Sequence, residues 1–224
     1  MFRFTRALAA ALLALGASAS FASRSIAPPT FDDEALQRHQ DDKHMALAMW
    51  FSTQFMQNAA GHAGPDAAKQ IIAKLDGYAI FAILDVKLDT KLGTIVPGDR
   101  DQMRASAHLR LGDHAPLAIV REEDLPADVR GTVRIVKPVI ANMLGKFGDA
   151  IELVVFKDAD ARGHSQMIPS ANLRAALDFD NESFAWNLPS ISLLPPRIDA
   201  ATGDTFPGDF EFSPFTGHKL ETAK

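Results

Sequence analysis

The sequence predicts an α+β fold: a largely antiparallel sheet packed by N-terminal and central helices, with a small hairpin at the C-terminus. Three observations carry that expectation. Tyr78 to Leu88 is one continuous apolar and branched run of strand length. Val129, Val133, Val136, Ile140, Met143 and Phe147 recur at spacings of four and three, which is a helical stripe. Two alternating runs, Asn172 to Phe179 and Ser183 to Leu188, flank Asp180-Asn181, a hairpin signal. Strands and helices come in blocks rather than in strict alternation, and this favours antiparallel pairing.

Met1 to Ala22 carries Arg3 and Arg6, an apolar run from Ala7 to Leu15, and small residues ending in Ala17-Ser18-Ala19 and Ser20-Phe21-Ala22. It reads as a secretory signal peptide cleaved after Ala19 or Ala22. The apolar core falls well short of the roughly 20 residues a spanning helix requires. A cleaved leader implies a periplasmic protein with no membrane span after processing. With no cysteine in the 224 residues, neither a lipid-modified thiol nor a disulfide is available. Of 23 basic residues, Arg3 and Arg6 belong to the leader, so the remainder carries 21 against 28 acidic ones, a net −7. That balance argues against nucleic acid as a partner.

Residues 23–192 are expected to form the α+β body. Ser23 to Pro29 is a linker, and Thr30 with Asp33 and Glu34 has the form of a capping box. The helix it opens is predicted to run to about Ala60, with Met45, Ala48, Met49, Ser52, Phe55 and Met56 on one stripe and Trp50 off it. Gln40-Asp41-Asp42 is the place where it would divide in two. Asp66 to Leu75 reads as a second helix between Pro65 and Gly77. After the Tyr78 strand, Gly93 to Met103 is predicted as loop with a short helical turn. Strands follow at Ser106 to Leu111 and Leu117 to Val120, joined through Gly112-Asp113-His114. Pro138 lies on the face opposite the central stripe and predicts a kink or a restart there. Ile151 to Phe156 returns to strand character, with Gln166 to Ile168 as a pairing partner.

Residues 193–224 contain an internal repetition. Asp199-Ala200-Ala201-Thr202-Gly203 and Ser213-Pro214-Phe215-Thr216-Gly217 recur at an offset of fourteen. Asp199, Thr202, Ser213 and Thr216 are spaced two, ten and two residues apart, with Gly203, Gly217 and Pro214 at matching places. The segment resembles a zinc ribbon, whose paired Cys-Pro-x-Cys-Gly knuckles hold a tetrahedral ion, over about 25 of the 224 residues. Every cysteine of that pattern is replaced here. The resemblance therefore implies a degenerate ribbon: four vestigial ligand positions, no metal and no cofactor, because an aspartate, a serine and two threonines are poor zinc ligands. The plain alternative is two glycine turns joining short aromatic strands. In either case Phe206, Phe210, Phe212, Phe215 and Leu220 must hold the hairpin to the body.

No nucleophile elbow, phosphate loop or zinc-peptidase helix occurs in the sequence. Asp158-Ala159-Asp160-Ala161-Arg162-Gly163 opens like a calcium loop but places a cation at Arg162 and Pro169 where a bidentate glutamate belongs, so a polar turn is expected. The layout resembles exported bacterial proteins of unknown function. The function expected is non-enzymatic binding of another protein or an envelope component, an immunity or inhibitor protein being its specialised form. Trp50, Phe206, Phe210, Phe212 and Phe215 are the candidate contact residues. The competing reading is a periplasmic hydrolase assembled from dispersed groups such as Asp99, Asp101, His108 and His114.

Overall fold

In a computed structural model describing residues 25–60, 65–89, 91 and 94–223, the fold is built around one twelve-residue strand. The leader lies outside the described residues. The α+β class holds: helices and antiparallel sheets make up the described chain. Element order is α1 Phe31–Ala35, β1 Leu36–Gln40, β2 His44–Trp50, α2 Thr53–Ala60, α3 Pro65–Leu75, β3 Tyr78–Asp89, β4 Thr94–Pro97, α4 Arg100–Ser106, β5 His108–Leu111 and β6 Leu117–Ala118. It continues with α5 Ala127–Met143, β7 Glu152–Lys157, β8 Arg174–Phe179, β9 Glu182–Asn187, β10 Arg197–Ile198, β11 Thr205–Phe206 and β12 Glu221–Thr222.

Strand β3 is the hub of the first sheet. One edge pairs with β2, Trp50 opposite Phe81, and β1 lies beyond. The other edge is shared, β7 taking Tyr78 to Ile83 and β4 taking Val86 to Asp89. A second sheet has the order β6-β5-β8-β9. Ala46, Ala48, Trp50, Phe81, Ile83, Val154 and Phe156 face Leu109, Leu177, Phe184 and Trp186 of that sheet in one buried cluster. The alternate residues Met45, Leu47, Met49, Ile80, Ala82, Leu84 and Val155 pack under Met56, Leu75, Val129 and Ile140 of the helices. The body is thus three layers, with the first sheet in the middle and buried on both faces. Such strands read as unbroken apolar runs.

That burial explains the main departure from expectation. The helix predicted from Thr30 to Ala60 is instead α1, the β1–β2 hairpin and α2. The Thr30–Asp33 capping box is present, but it caps only five residues. Asp41 turns the chain by accepting the amides of Lys43 and His44 at 2.7 and 2.8 Å. In β2 both alternating sets are apolar and rich in Ala and Met, good helix formers, so periodicity alone does not separate strand from helix there. Ser52 restarts the helix, its Oγ accepting the amide of Phe55.

The later elements lie close to their predicted places. Gly93 to Met103 contains more structure than a loop, namely β4 and an α4 whose N-cap is Asp99. Helix α5 buries Val129 and Ile140 and passes through Pro138, which is exposed. The β8–β9 hairpin turns at Asp180, φ 49°, and the Ser106 hydroxyl ties it to α4 by donating to the Asp180 carboxylate and accepting its amide. Gln166 to Ile168 form no strand. The first two amides go instead to Asp158, whose carbonyl accepts Gln166 N–H and whose Oδ2 accepts Met167 N–H at 2.9 Å, and Ile168 N–H donates to Gln166 O.

Candidate functional site

The repeated motif of the C-terminal segment folds into two turns with matching hydrogen bonds. Strand β10 lies between β11 and β12. In the first turn Asp199 N–H donates to Asp204 O and Gly203 N–H returns to Asp199 O. Fourteen residues on, Ser213 N–H donates to His218 O and Gly217 N–H returns to Ser213 O. The side chains repeat the pattern. Asp199 Oδ1 accepts Ala201 N–H, Ser213 Oγ accepts Phe215 N–H, and the hydroxyls of Thr202 and Thr216 accept the amides of Asp204 and His218. Gly203 and Gly217 both adopt left-handed backbone, φ 78° and 73°, which is why glycine ends each motif.

The two turns meet through Asp199. Its Oδ2 accepts the Thr216 hydroxyl at 2.7 Å, and His218 Nδ1 lies 3.2 Å from Oδ1. These bonds hold the Asp199 carboxyl below its usual range, Thr216 contributing most, although the side chain is buried. Two of the four ligand-like positions are therefore in direct contact. Among the described residues no three His, Cys, Asp or Glu side chains are grouped to hold a metal ion.

The candidate contact residues divide sharply. Phe206 is buried, stacked on Phe210 and tilted against Phe215. Phe212 and Phe215 expose 54% and 46% of their surface. Trp50 does not serve as a free surface anchor: it is 2% exposed, packed against Phe31 and held in β2 opposite Phe81. The helical wheel misplaced it because the segment is a strand.

The hydrolase set is not brought together. Asp99 caps α4, with its Oδ1 accepting the amides of Asp101 and Gln102. His108 sits on β5 with Nδ1 against Ser106 O, and His114 lies exposed past the following turn. None of the four lines a described cavity. The calcium-like segment is a turn in which Asp160 Oδ1 accepts the amides of Arg162 and His164. Beside it, His164 Nδ1 pairs with Asp76 at 2.7 Å.

A cleft that the sequence did not signal opens where α1, the end of β9 and the C-terminal segment meet. It encloses about 450 Å³, between Phe31, Trp50, Trp186, Leu188, Ile191 and Leu194. Asp33, Glu34 and Asp209 are also on its lining. Glu34 fastens the junction, its two carboxylate oxygens accepting the amides of Ile191 and Ser192. Ile26 N–H also reaches Thr205 O at 3.0 Å, adding the N-terminal segment to the edge of β11.

No family model matches the chain, and no curated protein matches it. Among solved structures it is similar to a novel protein of unknown function from Burkholderia pseudomallei K96243, with 12% identity over 70% of this chain and 80% of that one, at a TM-score of 0.30. A likeness of that size carries no functional argument.

Proposed function

We propose that the chain is an exported, non-enzymatic binding protein that acts in the periplasm on another protein or an envelope component, with the C-terminal module as its contact surface. The observation that carries this reading is the pair Phe212 and Phe215, exposed on a module whose second turn is held by the Ser213 and Thr216 hydroxyls. Rigidly mounted exposed aromatics are the usual centres of protein contacts, because little freedom is lost when they dock. Among the described residues no helix is long and apolar enough to cross a membrane.

We infer that the module is a zinc ribbon whose ligands have been replaced by a hydrogen-bonded set. The matched bonds of its two turns and the Asp199–Thr216 contact support this. In that reading the buried Asp199 carboxylate, the Thr216 hydroxyl and the His218 ring take over the cross-linking that an ion performs in the parent fold. The immunity or inhibitor role is the specialised form of the proposal.

The test is cross-linking of the tagged protein in its own envelope fraction, with wild type and a Phe212→Ala/Phe215→Ala variant side by side. A partner captured by wild type and lost by the folded variant supports the reading. Identical capture by both overturns the module as the contact surface. Intact-mass measurement of the same preparation should show a chain starting at Ser20 or Ser23.

A further inference from the structure

We propose that the cleft between α1, β9 and the C-terminal segment binds a cation carried on an apolar stem, an ammonium or guanidinium group at the end of a short aliphatic chain. Its walls and its charges are separable observations. The walls are Phe31, Trp50, Trp186, Leu188, Ile191 and Leu194, and the space of about 450 Å³ lies in the range of small-ligand sites. The charges are Asp33, Glu34 and Asp209, all on the lining, whereas no lysine, arginine or histidine lines it.

The three carboxylates remain uncompensated. None of them forms an ion pair among the described residues. Asp33 is held ionised by the hydroxyl and amide of Thr30, so it stays negative at neutral pH. Glu34 is fixed in place by two backbone amides, which carry no charge of their own. Asp209 is exposed, on the C-terminal segment. An apolar stem would displace water from the aromatic and aliphatic walls, while its cationic end would meet negative charge already fixed at the rim. An anion of the same shape would meet repulsion there, and a neutral one would gain only the wall contacts.

The chain's two tryptophans, Trp50 and Trp186, both line this cleft, so intrinsic fluorescence reports on it without a label. The full mature chain is titrated with hexylamine, hexanol and hexanoate, which share a stem and differ in charge. Hexylamine should give a saturable change, and hexanoate none. Asp209→Asn, at an exposed position with no structural bond, should weaken hexylamine about two- to fivefold, the loss of one screened charge contact. A short lysine-bearing peptide is the second probe. Tighter binding than hexylamine assigns the site to a polypeptide's basic side chain, and weaker binding assigns it to a free amine. Equal affinity for hexanol or hexanoate overturns the proposal, and so does a flat response to both amines. The site is distinct from the aromatic face: Phe212→Ala/Phe215→Ala should leave the amine titration unchanged, so either reading can fail alone.

Discussion

Gln37 binds Ala185 as a neighbouring strand would: its side-chain amide donates to the Ala185 carbonyl and accepts the Ala185 N–H at 3.2 Å. β1 and β9 are edge strands of different sheets, and one side chain supplies the ladder that neither backbone provides. His39 extends the seam by stacking on Phe184 and bonding Glu182. Edges left unpaired invite association with other chains, so this closure protects the sandwich as well as joining its layers.

Gln37→Ala should therefore destabilise by about 1–3 kcal/mol, since it strands two part-buried backbone groups rather than one surface bond. Urea unfolding at an unchanged slope is the check. A shift of a few tenths of a kcal/mol would show that water replaces the side chain.

Trp50→Ala should cost about 3–5 kcal/mol, the expectation for a large aromatic in a packed core. Phe212→Ala should stay within about 0.5 kcal/mol, as at an exposed position. Equal losses from the two would contradict their opposite burial.

Asp158 is buried, with Oδ2 bonded to Met167 N–H and Oδ1 without a partner, and desolvation raises its pKa above the ordinary carboxylate value. The folded state then holds this proton more tightly than the unfolded one, so stability from this group falls as pH rises through the folded pKa. Asp158→Asn should raise the melting temperature relative to wild type more at pH 7 than at pH 4. Paired thermal scans decide it, and a difference independent of pH would exclude the carboxyl as the cause.

If the module is a ribbon stripped of ligands, the combined change Asp199→Cys, Thr202→Cys, Ser213→Cys and Thr216→Cys should restore binding of one cobalt or zinc ion per chain. Thiolate-to-cobalt absorption under reducing conditions measures it. Substoichiometric or octahedral cobalt would mean that the turns resemble knuckles without sharing their geometry.

The legible parts of the sequence were those with a single period or a fixed punctuation. The α5 stripe, the Asp180 hairpin and the Gly203 and Gly217 turns are local, and each is set by residues a few positions apart. β2 was not legible, because burial on both faces removes alternation and its Met-Ala composition favours a helix. The cleft was equally hidden. Glu34, Trp50, Trp186 and Asp209 are far apart in sequence, and only the packing of α1 and the C-terminal segment beside the two sheets brings them to one place. Phe212 and Phe215 could be named as aromatic, but their exposure depends on Phe206 taking the interior position.

The bond between Ile26 and Thr205, with Ser25 beside it contacting a residue 180 positions away, has a temporal meaning. A chain made from its N-terminus meets its contacts in order of synthesis. Among the described residues, Ser25 and Ile26 meet their hydrogen-bond partner only once residue 205 has emerged, long after the helices and the first two sheets have been made. The first part of the described chain is thus among the last to settle, and its closure onto β11 marks completion of the fold.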